Sequence, residues 1–231
     1  MHCRTQACQA VLAVVLTVPV LSCCSVGPSK PDAAQSGATA SVSVSSSPSA
    51  RTPTPGAPYS TTSFSIPFTV NAPTWQPAGP AHEEANFLTW VSADDTHAVR
   101  FLAPVNSYPV DGTEAGPVPD DYVAFLESLN TKRLQLGDVH KTTVGGQPAT
   151  LMSVTVESGG LDGVLGCPAQ GVAAEDCYGP QQEKPMRLAI IDAPGGRPLL
   201  VWSRQNVGDT NAERAADSAQ FEAMLAGLKF R

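Results

Sequence analysis

Charge is scarce in this sequence. Asp, Glu, Lys and Arg make up 15% of its 231 residues, against about 25% in an average soluble domain. Combined with 19 Gly and 21 Pro, that scarcity excludes a coiled coil or a long helical array. Basic residues are fewer still: 14 Lys and Arg face 21 Asp and Glu, a net charge of −7. An unspecific nucleic-acid binder needs a basic footprint, so no nucleic-acid partner is expected. A bilayer-spanning run is missing as well. The apolar stretch at residues 10–21 has about 12 residues, and a spanning helix needs about 20. Catalytic signatures are also absent. There is no G-x-S-x-G nucleophile elbow. No H-E-x-x-H, P-loop, G-x-G-x-x-G or EF-hand spacing occurs either. No catalytic residue, metal or cofactor is therefore expected.

What is present begins with an address. A short polar start with Arg4 precedes the apolar run, which is the pattern of a secretory signal. The run ends in Val20-Leu21-Ser22-Cys23-Cys24, which resembles a bacterial lipobox. Lipidation is then expected on Cys23 or Cys24. Cys23 has a small residue, Ser22, before it. Cys24 has Leu21 and Ser22 in the customary slots, with Cys23 where Gly or Ala is usual. Two acyl chains on one such residue suffice for stable anchoring, at about 0.8 kcal/mol per buried methylene. The expected location is the outer face of the plasma membrane.

The chain divides into three parts: a lipoprotein signal peptide (1–23), a Ser/Pro/Ala/Thr-rich tether (24–62) and an extracytoplasmic domain (63–231). Residues 25–60 contain no Leu, Ile, Phe, Met or Trp. They have no means to build a core, which predicts a disordered tether. Residues 60–231 hold 20 acids and 11 bases, a net charge of −9. The acidity of the protein thus resides in the domain, which is long enough for one well-filled core.

Periodicity and turn chemistry predict an α+β domain, an antiparallel sheet of hairpins covered by two main helices. Residues 64–70 alternate as a strand, with Pro67 confining it to an edge or a sheet margin. Hairpins are expected at 86–105 around Asp94-Asp95, at 138–157 around Gly145-Gly146 and at 186–204 around Gly195-Gly196. The strand at 149–157 is expected to bury one face. A helix should begin near Asp120 or Asp121 and carry Tyr122, Phe125, Leu126 and Leu129 on one side. A second begins at Thr210, where Glu213 completes a capping box, and stops at Gly227.

This order of elements resembles the actinobacterial lipoproteins with a PsbP-like (LpqN-type) domain. The residues that carry the likeness are Pro73-Thr74-Trp75, the turn Val144-Gly145-Gly146-Gln147-Pro148-Ala149, and the ending Leu225-Ala226-Gly227-Leu228-Lys229-Phe230. The resemblance implies an antiparallel sheet sandwiched by helices and a non-enzymatic envelope or accessory role. It brings no catalytic residues. The expected function is binding, of an envelope protein partner or a lipid-like, apolar ligand. The competing functions are a hydrolase of cell-wall glycans or esters and a purely structural envelope protein.

Cys167 and Cys177 remain once the N-terminal cysteines are set aside. An oxidising export route predicts a disulfide between them. Two thiols with no nearby His do not make a zinc site, and the spacing is not C-x-x-C. His82, His97 and His140 lack the partners of a catalytic base and read as surface or strand residues. Asp94-Asp95 and Asp120-Asp121 are explained by turn formation and helix capping. Trp202 reads as core. Trp75, in a Pro-bounded loop, reads as core in preference to a ligand contact.

Overall fold

The computed structural model describes residues 56–75, 81–129, 133–206 and 208–231. The signal, most of the tether, Cys23 and Cys24 lie outside the described residues.

Two antiparallel sheets form the frame. The larger has seven strands: β3 (His82–Glu83), β4 (Phe87–Val91), β5 (Ala98–Leu102), β6 (Leu134–Val144), β7 (Gln147–Val156), β8 (Met186–Ala193) and β9 (Arg197–Arg204). Their spatial order is β3-β4-β5-β9-β8-β7-β6. Short turns join β3 to β4, β4 to β5, β6 to β7 and β8 to β9, the long segment 157–185 joins β7 to β8, and the two halves of the sheet meet where β5 pairs with β9. The smaller sheet has β1 (Pro58–Ser60), β2 (Phe68–Asn71) and β10 (Lys229–Phe230), with β2 in the middle. The helices are α1 (Tyr122–Ser128) and α2 (Asn211–Ala226). The fold is α+β and mainly antiparallel.

Local chemistry accounts for most of the boundaries. The Asp121 carboxylate accepts a hydrogen bond from the Ala124 N–H and caps α1. Thr210 and Glu213 form the capping box of α2, and Gly227 ends it. The β6–β7 turn is Gly145-Gly146, both at positive φ, between the paired residues Val144 and Gln147. That is the geometry a two-residue hairpin loop demands.

Three expectations need correction. Pro67 does not confine a strand to an edge: β2 begins just after it and is the central strand of its sheet. β1 falls within the stretch read as tether and pairs with β2. β7 buries both faces rather than one. Ala149 and Leu151 face one core, while Met152, Val154 and Val156 face another. The reason is that the large sheet is covered on each side.

On the first face, β2, β10 and α2 bring Phe68, Val70, Leu228, Phe221 and Leu225 against Val99, Phe101, Leu199 and Val201. On the second, α1 supplies Tyr122 and Leu126, and the irregular segment 157–182 supplies Leu161, Val164 and Leu165. A Cys167–Cys177 disulfide closes that segment. Gly179 is required there, since a Cβ at this position would stand 1.7 Å from the Leu161 carbonyl oxygen.

Glu83 ties the two sheets together. Its carboxylate accepts hydrogen bonds from the Tyr59 hydroxyl at 2.7 Å, the Thr62 N–H at 2.7 Å and the Phe64 N–H at 2.8 Å. The Ser63 N–H and hydroxyl also donate to it. Burial opposes its ionisation, and these bonds outweigh burial, so the carboxyl sits below its ordinary range. The same burial and the same partner push the Tyr59 hydroxyl well above its usual range.

Candidate functional site

A cavity of about 160 Å³ opens on the first face, between α2, the chain leaving β2, and the ends of β5 and β9. Its apolar wall is built from Trp75, Val99, Phe221 and Met224. Each arrives there for a local reason. Val99 points inward from β5 on the same face as Phe101. Phe221 and Met224 lie on the apolar stripe of α2. Trp75 follows β2, and its loop is held to the helix by a hydrogen bond from Gln220 to the Thr74 hydroxyl.

The other end of the cavity is polar: His97, Ser203 and Asp217. His97 stands one residue before β5, and its ring centre is 6.1 Å from that of Trp75. Its Nε2 lies 3.5 Å from Asp217 Oδ1. Its Nδ1 lies 2.7 Å from the Thr96 hydroxyl, which in turn donates to Asp94 at 2.7 Å. With the Thr96 hydroxyl donating to Asp94, the ring donates its Nδ1–H to Thr96. Nε2 then faces the Asp217 carboxyl. Burial pushes the Asp217 carboxyl upward; His97 works against this, and Asp209 and Glu213 add to the rise.

Ser203 is 7% exposed, and its hydroxyl has no hydrogen-bond partner. Buried hydroxyls normally have one. An unsatisfied hydroxyl on a cavity wall is a ready contact for a polar group of a ligand. It is not a nucleophile in waiting. Both ring nitrogens of His97 are directed at Thr96 and Asp217, so no base reaches Ser203 Oγ.

A wider cleft of about 710 Å³ lies beside α1. Its walls mix both signs, with Asp120, Asp121 and Asp192 near Lys141 and Arg197. Asp121 already caps the helix. Arg197 is engaged with Ser65 and Asn86. No constellation of groups converges there.

The structure sorts the residues singled out by sequence. His97 joins the cavity. His82 is exposed and pairs with Glu84, and His140 is exposed beside the Asp138 carbonyl. Asp94 organises the β4–β5 turn, accepting from Ser92 and Thr96, which hold its carboxyl far below the usual range. Trp202 is core. Trp75 packs on the first-face core and also lines the cavity. Ser203 and Asp217 were not foreseen. Each had a signal: Ser203 continues the inward alternation of Leu199 and Val201. Asp217 sits four residues before Phe221 and seven before Met224, a polar residue on an apolar stripe.

No family model and no curated protein matches the chain. Among solved structures, the solution structure of cyanobacterial PsbP (CyanoP) from Synechocystis sp. PCC 6803 is similar. The match covers 76% of this chain and 92% of that chain, at 9% identity and a TM-score of 0.37. So distant a likeness transfers neither a ligand nor a role.

Proposed function

We propose that this chain is an exported lipoprotein of PsbP-like type, anchored through Cys23 or Cys24 to the outer face of the plasma membrane. Its domain works as a non-catalytic binding module for a small, largely apolar ligand with one hydrogen-bonding group. The lipobox-like sequence supports the anchor. Replacing both cysteines by Ala and fractionating cells tests it, and unchanged membrane retention refutes it.

The observation that carries the binding reading is the cavity: an apolar wall closed at one end by an unsatisfied buried hydroxyl and the facing side chains of His97 and Asp217. Dry apolar cavities of about 150 Å³ are known to take benzene. This one has that size, and its polar end adds a hydroxyl-matching group. Benzyl alcohol is the fitting probe. Trp90 and Trp202 are buried elsewhere in the core, so a ligand beside Trp75 changes the fluorescence of that one indole. The expected result is a saturable fluorescence change that disappears in Ala72→Leu, which fills the cavity from its wall. An equal response in wild type and A72L contradicts the reading.

A further inference from the structure

The polar end of the cavity is short of hydrogen-bond donors, and that shortage selects the ligand. His97 spends its Nδ1–H on Thr96, whose hydroxyl is committed to Asp94. In the neutral ring Nε2 is then a lone pair, and it faces Asp217 Oδ1 at 3.5 Å. A carboxylate only accepts. Ser203 stands opposite Val99, and its buried hydroxyl has no partner. All three side chains line the cavity. Three acceptors thus meet one end of an otherwise apolar space, and the only proton among them is that of Ser203.

The charges around this end are mostly negative. Asp94 and Asp95 lie in the turn just before His97, and Asp209 and Glu213 act on Asp217 from the start of α2. Against these five acids stand Arg204 and Arg214. Arg204 also lines the cavity, but it is paired with the Asp95 carboxylate at 3.0 Å. Arg214 bonds to Asn211. Even a charged His97 leaves the acids in excess. Burial, Asp209 and Glu213 all oppose the ionisation of Asp217. A bound cation offsets each of these, and an anion adds to them. The indole of Trp75, with its ring centre 6.1 Å from that of His97, adds an aromatic group of the kind that attracts cations. We propose that the cavity takes a small primary amine as its ammonium ion, with an apolar body about the size of a benzene ring. The three N–H bonds of the ammonium serve Asp217, His97 Nε2 and Ser203, while the apolar body lies along Phe221 and Met224. This names the ligand class of the binding site described above and rests on that reading.

Benzylammonium, benzyl alcohol and benzoate share a ring and a similar size and differ in charge. They are titrated into the full chain at pH 8 with Trp75 fluorescence as the readout. Benzylammonium should bind about tenfold more tightly than benzyl alcohol, the difference between a charge-assisted and a neutral hydrogen bond. Benzoate should bind more weakly than either. Asp217→Asn, which keeps the shape and removes the charge, should bring the ratio of the first two affinities down to about one. The wild-type comparison stands by itself if D217N does not fold. The benzylammonium response should also vanish in A72L. Benzylammonium that binds no more tightly than benzyl alcohol, or a preference that survives in D217N, overturns the proposal and leaves the cavity reading in place. A benzylammonium response that persists in A72L is attraction to the acidic surface and overturns it as well. Binding of none of the three overturns both.

Discussion

On one face of the seven-stranded sheet, regular elements close the core: α2 and the three short strands, fastened by Glu83. On the other face, α1 covers one part, and segment 157–182, almost without regular structure, covers the rest. The difference lies in what holds each cover down. Regular elements satisfy their own backbone and contribute apolar stripes, so packing does the work, with space left over as a cavity. The irregular cover has few repeating hydrogen bonds, and its disulfide limits the conformations it can take when unfolded. Stability on the first face should therefore respond to side-chain volume, and on the second to the covalent link.

Truncating Phe221 is the strongest way to break the first cover. Phe221→Ala should cost about 3–5 kcal/mol in denaturant unfolding, because the residue is 2% exposed within the first-face core. Replacing Cys167 and Cys177 together by Ser should cost about 2–4 kcal/mol. Hydrogen-exchange protection should fall at Leu165 and Tyr178 while β2 stays protected. Combining these changes with F221A should give additive losses to within about 0.5 kcal/mol, because the two sites share no partners. A large coupling would show that the faces are not independent.

Glu83→Gln should cost about 1–2 kcal/mol at neutral pH, with partial exposure keeping the figure low. The sign with pH follows from the lowered carboxyl. Its contribution is present above the unfolded value of about 4.3 and is lost as pH falls through the folded value. Wild type should thus lose more stability than E83Q on acidification, as an acid-unfolding titration would show. Asp217 works in the opposite direction. Its carboxyl is raised, so its contribution is present below the unfolded value and lost as pH rises through the folded one. Asp217→Asn should leave neutral-pH stability unchanged or slightly raised, within about 1 kcal/mol, and thermal melts across pH 3–6 should show a flatter profile.

Most of the first layer of this account was legible in the residues. The Thr210–Glu213 capping box and the Gly145-Gly146 turn are local, so their chemistry is written within a few positions. The Cys167–Cys177 link followed from the count of remaining thiols. The small sheet was not legible. β1 and β10 have three and two residues, too few for any periodicity, and Lys229–Phe230 forms a strand only because Phe68 and Thr69 lie opposite. The same limit hid the site. Trp75 and His97 could each be seen, but nothing local says that a helix more than 100 positions later brings Asp217 to face them.

The cavity is the central claim, and the methionine methyl groups test it most directly. Met224 lines the cavity on the first face, while Met152 and Met186 belong to the second-face core. With methyl-labelled methionine and benzyl alcohol added stepwise, the Met224 signal should shift saturably while those of Met152 and Met186 stay fixed. A Met224 signal that does not move, or one that moves no more than the other two, would contradict the account.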